Sequence, residues 1–238
     1  MHSSIVRKPQ SRLASEVAIA GEEAVCDQGG ALYFPSLKLL AVSDLHLEKG
    51  SAFARRGMLM PPYDTAATLL ALHAVVARYE PRIVVSLGDS FHDDWGSERL
   101  PGIFRERLLA LMAGRDWFWV GGNHDPKPPV DLPGTTVQEL AAGTVRFRHE
   151  PSREAEPGEV AGHLHPCARI VQRARSVRRR CFATDGSRMI MPAFGAYTGS
   201  LNILDRAFAG LFSHERLMAH MLGDSGVFPI ARAMLRPG

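Results

Sequence analysis

Seven side chains able to bind a metal recur in order along the chain: Asp44 and His46, Asp89, Asn123, His149, then His163 and His165. They offer carboxylate, amide oxygen and imidazole, and no thiolate. That set favours hard to borderline divalent ions such as Mn²⁺, Fe²⁺ or Zn²⁺ over a cysteine-built structural zinc site. Seven protein ligands are too many for one catalytic ion, which must keep open positions, and they suit two ions sharing a bridge. Two ions about 3.5–4 Å apart can clamp a phosphoryl group and acidify a water between them. Taken singly, each element has an ordinary explanation. Asp44 or Asp89 could cap the next segment, His149 could be a satisfied surface histidine, and Asp44-Leu45-His46 could be chance. Their shared position in the chain's rhythm joins them.

Each donor stands where an apolar run ends. Leu39-Leu40-Ala41-Val42-Ser43 runs into Asp44, Ile83–Leu87 into Gly88-Asp89, and Trp117-Phe118-Trp119-Val120 into Gly121-Gly122-Asn123-His124. Continuous apolar runs of this length read as strands buried on both faces. Between them, the spacing predicts a helix over 65–79, capped by Asp64, and another over about 99–113, closed by Gly114. This β-α-β-α-β order implies parallel strands with right-handed crossovers, whose ligands lie beyond the carboxyl ends. Residues 17–40 read as a β meander. In the second half, strands are expected at 135–140, 144–148, 159–162, 169–173, 181–184 and 189–191. Two of them end in His149 and in Gly162-His163-Leu164-His165. A helix is expected over 200–212, and the last twenty residues carry little pattern.

With 238 residues, 45% of them hydrophobic, the chain suits one domain over 16–238 after a loose tail at 1–15. The tail lacks the apolar stretch of a signal peptide, and no run reaches the roughly 18 apolar residues of a membrane span. A soluble, cytoplasmic protein is expected. Three widely spaced cysteines, Cys26, Cys167 and Cys181, imply free thiols. Net charge is +3, and 24 of the 28 basic residues are arginine. Genomic base composition suffices to explain that bias, which permits a nucleic-acid partner without requiring one. Lys49, Arg55 and Arg56, shortly after the first ligand pair, could neutralise phosphates or form a solvated loop. Arg173, Arg175, Arg178, Arg179 and Arg180 read equally as a DNA track or a charged hairpin. Trp95 could stack on an unpaired base, as could Tyr63 and Phe91, for which packing is favoured. Phe194, Phe208 and Phe212 leave room for a homodimer face.

Asp44-Leu45-His46, Gly88-Asp89, Gly122-Asn123-His124-Asp125, His149 and Gly162-His163-Leu164-His165 together resemble the ordered motifs of calcineurin-like metallophosphoesterases, over about residues 39–166. The resemblance implies an α/β fold of four layers, a β-sandwich flanked by helices. It implies one ion on Asp44, His46, Asp89 and His165, and a second on Asp89, Asn123, His149 and His163, with Asp89 bridging. His124 would touch the scissile phosphate and help the leaving oxygen depart. The stretch Gly88-Asp89-Ser90-Phe91-His92-Asp93-Asp94 departs from the common second motif, with an extra His92 and a shifted Asp93. Asp44–Gly50, Arg55-Arg56-Gly57, Pro61-Pro62-Tyr63-Asp64 and Gly88–Asp93 resemble more narrowly the ligase-associated DNA-damage-response endonucleases. This narrower resemblance implies a Mn²⁺-dependent phosphodiesterase that nicks single-stranded DNA, with a DNA ligase and a helicase-like repair protein as partners. Lys49, Arg55, Arg56 and His92 are its candidate substrate contacts. Two other readings stand beside it: a phosphohydrolase of a small nucleotide or phosphoprotein, and a non-catalytic scaffold. A scaffold would be expected to have lost ligands, and here every position is filled.

Overall fold

A computed structural model describes residues 13–127, 129–154, 156–172 and 174–238. Residues 1–12 of the expected tail, and Arg173 of the basic stretch, lie outside the described residues. Ala14 and Ser15 belong to the first strand.

Strands β1 (Ala14–Ile19), β2 (Glu22–Asp27) and β3 (Leu32–Phe34) form the antiparallel meander and lead into β4 (Leu39–Val42). Helices α1 (Lys49–Ala54) and α2 (Asp64–Tyr79) then cross to β5 (Ile83–Leu87). Helices α3 (Gly96–Arg99) and α4 (Gly102–Met112) cross to β6 (Asp116–Val120), and β7 (Thr135–Val137) closes this sheet. β4 through β7 are parallel. Their unbroken apolar runs serve two cores. Leu39, Ala41, Val85, Leu87 and Val120 face the second sheet. Leu40, Val42, Val84, Trp117 and Trp119 face α2 and α4.

The second sheet comprises β8 (Glu139–Ala142), β9 (Val145–Arg148), β10 (Glu159–Ala161), β11 (Pro166–Gln172), β12 (Arg175–Thr184), β13 (Met189–Ile190), β14 (Leu201–Asn202), β15 (Met218–Gly223) and β16 (Gly226–Ala231). Its inner face meets the first sheet through Phe147, Val160, Phe182 and Met189. Phe34 and Phe147 meet edge to face, 5.5 Å between centroids. On its outer face Ala168, Cys181, Ala183, Ile190 and Met221 lie under Ile203, Phe208, Leu211, Leu217 and Leu235. The result is helices, sheet, sheet and an irregular fourth layer. The three cysteines are free and buried, and among the described residues no helix is long and apolar enough to cross a membrane.

Three local expectations are corrected. The helix over 200–212 does not form. Leu201–Asn202 instead pairs with Pro166–Cys167 as an edge strand, and Asp205 caps a single 3-10 turn at Arg206–Phe208. Gly210 (φ 78°) then turns the chain away. The helical spacing of Leu204, Phe208 and Leu211 is satisfied by irregular packing on the outer core. Asp64 opens α2 without capping it, and its carboxylate accepts from Gly50 N at 2.9 Å. The helix expected over about 99–113 forms as α4, but it starts only at Gly102, after Pro101 as N-cap. The last twenty residues hold most of the β15–β16 hairpin. Pattern fails there because β15 is buried on both faces and β16 contains Pro229.

Candidate metal centre

All seven donors lie just past strand ends on one rim: Asp44 and His46 after β4, Asp89 after β5, Asn123 after β6, His149 after β9, His163 and His165 after β10. The loops after β4 and β5 are laced together. Asp44 N donates to Gly88 O, His46 N to Asp89 O, Leu47 N to Ser90 O and His92 N to Leu47 O. Asp44, His46, Asp89, His163 and His165 all adopt left-handed backbone, with φ between 44° and 67°. Each such turn costs on the order of 1 kcal/mol in a residue with a Cβ. The turns at Asp44 and His46 send both side chains to one place, while Leu45 and Leu47 drop fully into the core.

Glycines let these loops touch. A Cβ on Gly162 would lie 1.9 Å from Ser43 Oγ and 2.8 Å from Asp44 Oδ2. One on Gly88 would lie 2.2 Å from His149 Nδ1, and one on Gly122 2.3 Å from Asp89 Oδ1. Gly195, from the far end of the chain, sits so tightly on the first loop that a Cβ would come within 2.1 Å of Leu45 O. Neither Ser43 nor Gly195 shows a motif in the sequence. Ser43 donates to Asp44 Oδ2.

Donor atoms gather in two clusters. Asp44, His46 and His165 form one, and Asp89, His149 and His163 the other, with ligand atoms in each within 4.8 Å of one another. Asn123 joins the second, its Oδ1 lying 2.9 Å from both His149 Nε2 and His163 Nδ1. Asp89 stands between the clusters, Oδ1 3.5 Å from His149 Nε2 and Oδ2 3.8 Å from His46 Nε2. His165 Nε2 lies 3.1 Å from Asp44 Oδ1, yet it makes no hydrogen bond of acceptable geometry. His149 Nδ1 faces the acceptor Leu87 O at 3.1 Å. With the neutral ring's proton on that side, Nε2 would turn a lone pair toward Asn123 Oδ1, another acceptor. Such a meeting of lone pairs fits a cation.

Electrostatics point the same way for His46 and His163, whereas at His165 burial is outweighed by the contact with Asp44, which raises it. Burial, with the neighbouring imidazoles, pushes His46 down to about 3 against the pull of Asp44, so it is a neutral donor. Burial works to raise Asp44, but its close contact with His165 wins and holds the carboxyl below its usual value. Burial lowers His163.

The other candidates separate. His124 and His92 stack, centroids 5.1 Å apart, and His124 Nδ1 meets His92 O at 3.0 Å. The backbone of His124 donates to Asp89 Oδ1 at 2.9 Å, and its Nε2 is 4.0 Å from Asp89 Oδ2. Arg55, Arg56, His92, Trp95, Asn123 and His124 line an open groove of about 580 Å³. Trp95 is 54% exposed there, whereas Phe91 is in the core and Tyr63, against the expected packing, is exposed. Lys49 lies outside that groove. Its Nζ donates to Tyr197 O at 2.9 Å and straps the loop beyond Gly195. The shifted Asp93 is held by the fork of Arg99 at 2.8 and 3.0 Å. Asp125, given no role by the sequence reading, accepts from Phe91 N at 2.9 Å and so ties the second loop to the third. Burial, with Asp89 beside it, raises its carboxyl to about 8.

Two clusters of carboxylate and imidazole donors thus stand together at the carboxyl ends of facing sheets. The chain belongs to the calcineurin-like phosphoesterase family, whose model matches residues 37–182. Phosphoesterases of this kind use two divalent metal ions, matching the two clusters in number. Over 163 residues the chain is 29% identical to the 3',5'-cyclic adenosine monophosphate phosphodiesterase CpdA of Pseudomonas aeruginosa. That match takes in 67% of this chain and only 54% of the relative. The chain also shares the fold of the Pseudomonas putida nuclease MPE, with a TM-score of 0.68 and 24% identity over 91% of this chain and all of that one.

Proposed function

We propose that this protein is a two-metal phosphodiesterase acting on nucleic acid, with single-stranded DNA as substrate and Mn²⁺ as the working ion. The observation that carries this is the open groove, in which Arg55, Arg56 and the exposed Trp95 run up to Asn123 and His124. Arginine forks neutralise backbone phosphates, and an exposed indole stacks on an unpaired base. A monoester phosphatase needs neither.

Asp44, His46, Asp89 and His165 would hold one ion, and Asp89, Asn123, His149 and His163 the other. Bound there, the pair would supply positive charge to the phosphoryl oxygens and lower the pKa of a water. The chain's own groups orient the ester. Arg55 and Arg56 fix the flanking backbone, and His92 supports the ring of His124. Because His124 Nδ1 is committed to the His92 carbonyl, its proton exchange takes place at Nε2. That atom, beside Asp89, protonates the leaving oxygen. Lys49 acts from behind by holding the Tyr197 loop.

Likeness to a cyclic-nucleotide phosphodiesterase keeps a second substrate in view, a small phosphodiester such as cyclic AMP. One experiment separates the readings. Metal-stripped protein is given Mn²⁺ and offered circular single-stranded DNA, cyclic AMP, bis-p-nitrophenyl phosphate and p-nitrophenyl phosphate. Conversion of the circle to linear and shorter strands is expected. Hydrolysis of cyclic AMP with the circle intact moves the substrate to small diesters, and hydrolysis of the monoester alone sinks the diesterase reading.

A further inference from the structure

The basic stretch that the metal centre does not use has a definite place. β11 leaves the centre directly from His165, and β12 returns beside it, Cys167 opposite Arg180 and Arg169 opposite Arg178. Paired residues of adjacent strands share a face, so Arg169, Arg178 and Arg180 stand on one side of this hairpin. Arg175 and Arg179 take the other, where Arg179 pairs with Asp224 at 3.2 Å. Along β12, Arg178 and Arg180 are about 6.8 Å apart at a strand's rise per residue. Two grooves, of about 450 and 730 Å³, share Arg178 and Ser200 and so run together. Arg180 lines the first, whose wall also holds the paired Arg179 and Asp224, and Arg169 lines the second. Leu201 N donates to His165 O at 3.0 Å, and Arg178 Nη2 donates to Ser200 O at 2.7 Å, which brings this channel to the edge of the metal centre.

These arginines are held in place without being neutralised. Arg169 donates to Ser176 Oγ and Pro237 O, and Arg180 to Ala193 O and Phe194 O. None of the three forms an ion pair among the described residues. The carboxylate of Asp205, in the second groove, caps the 3-10 turn. Arg178 Nε and Nη1 donate to nothing among the described residues.

We propose that the hairpin face bearing Arg169, Arg178 and Arg180 is a second phosphate-binding track, which holds the nucleic-acid strand on the His165 side of the metal centre. This rests on the nucleic-acid reading above. The Arg55–Arg56–Trp95 groove then takes the strand on the His124 side, and the scissile phosphate lies between. Successive guanidinium forks at strand spacing, with open donors and no carboxylate partner, suit an extended phosphate backbone more than a compact ligand.

The test is fluorescence anisotropy of a labelled thirty-nucleotide single strand in EDTA, titrated at several salt concentrations, so that no catalysis is involved. Arg178→Ala is compared with Arg175→Ala, which removes the same charge from the opposite face. Arg169→Ala/Arg178→Ala amplifies the effect, and melting temperatures check the fold. The double variant is expected to bind about tenfold more weakly, with a log Kd against log salt slope shallower by about 1.4. Arg178→Ala should weaken binding and Arg175→Ala should not. Equal effects of Arg175→Ala and Arg178→Ala, or a double variant that binds as wild type, overturn the track and leave the nuclease reading standing. Wild-type protein that neither binds nor cuts the strand overturns both, and it does so before any variant is made.

Discussion

Five of the seven donors sit in left-handed backbone, and the glycines beside them leave no room for a Cβ. At this scale the centre is strained where it is most tightly packed, as expected of groups held for chemistry more than for stability. Gly162→Ala would push Ser43 and Asp44 apart, and loss of metal uptake measured by calorimetry is expected, with a fall in melting temperature. In the proposed mechanism the neighbours Asn123 and His124 have separate duties. Asn123→Ala removes the oxygen between His149 and His163 and should weaken metal binding. His124→Ala should leave metal content, read by elemental analysis, unchanged while lowering kcat by about 10² to 10⁴. If His124→Ala loses metal in proportion to activity, its assignment to the leaving oxygen fails.

At the scale of elements, α1 carries Lys49 and reaches Arg55 and Arg56, and it is moored to the start of α2. Asp64 accepts from Gly50 N at 2.9 Å, and Glu48 N donates to Thr65 Oγ1 at 2.9 Å. Asp64→Ala leaves a buried N–H unpaired, a cost of about 1–3 kcal/mol. It should raise KM for a DNA strand more than it lowers kcat, as steady-state kinetics would show. The seam between the sheets makes a pH prediction. His220 on β15 is buried against Ser15 on β1, their side chains 3.0 Å apart, and burial pushes its pKa down to about 4. The folded state therefore prefers neutral His220, while the unfolded chain takes up a proton below about 6.5. The resulting stability is full above pH 6.5 and falls away as pH drops toward 4, by up to about 3 kcal/mol. His220→Gln should flatten that part of the melting-temperature profile, measured in EDTA against wild type. Identical profiles would show that His220 does not titrate in the seam.

For the whole molecule, two sheets bring together donors separated by as many as 121 residues, from Asp44 to His165. If the proposed ions join these crowded imidazoles and carboxylates, chelation should destabilise the entire domain. Ligand at a hundred times its Kd adds about 2.7 kcal/mol. At about 2–4 °C per kcal/mol for a chain of this size, Mn²⁺ should raise the melting temperature of stripped protein by about 5–10 °C. An unchanged melting curve in differential scanning fluorimetry would argue against a built metal centre.

The sequence by itself determined the donors and where they stand. Doubly buried strands leave continuous apolar runs, and the polar residue that ends each run must sit at the rim, so Asp44, Asp89 and Asn123 were legible together. Elements whose burial follows no single period were not legible. Residues 200–212 have helical spacing yet pack irregularly, and β15 is buried on both faces. Only the tertiary structure decided which basic residues meet the centre. Arg55, Arg56 and Lys49 are close in sequence, but Lys49 turns to Tyr197 while Arg55 and Arg56 enter the groove. The arginine stretch read equally as a track or a hairpin. Its division into two faces depends on strand register, which arises from pairing with β11 and is absent from the local residue pattern.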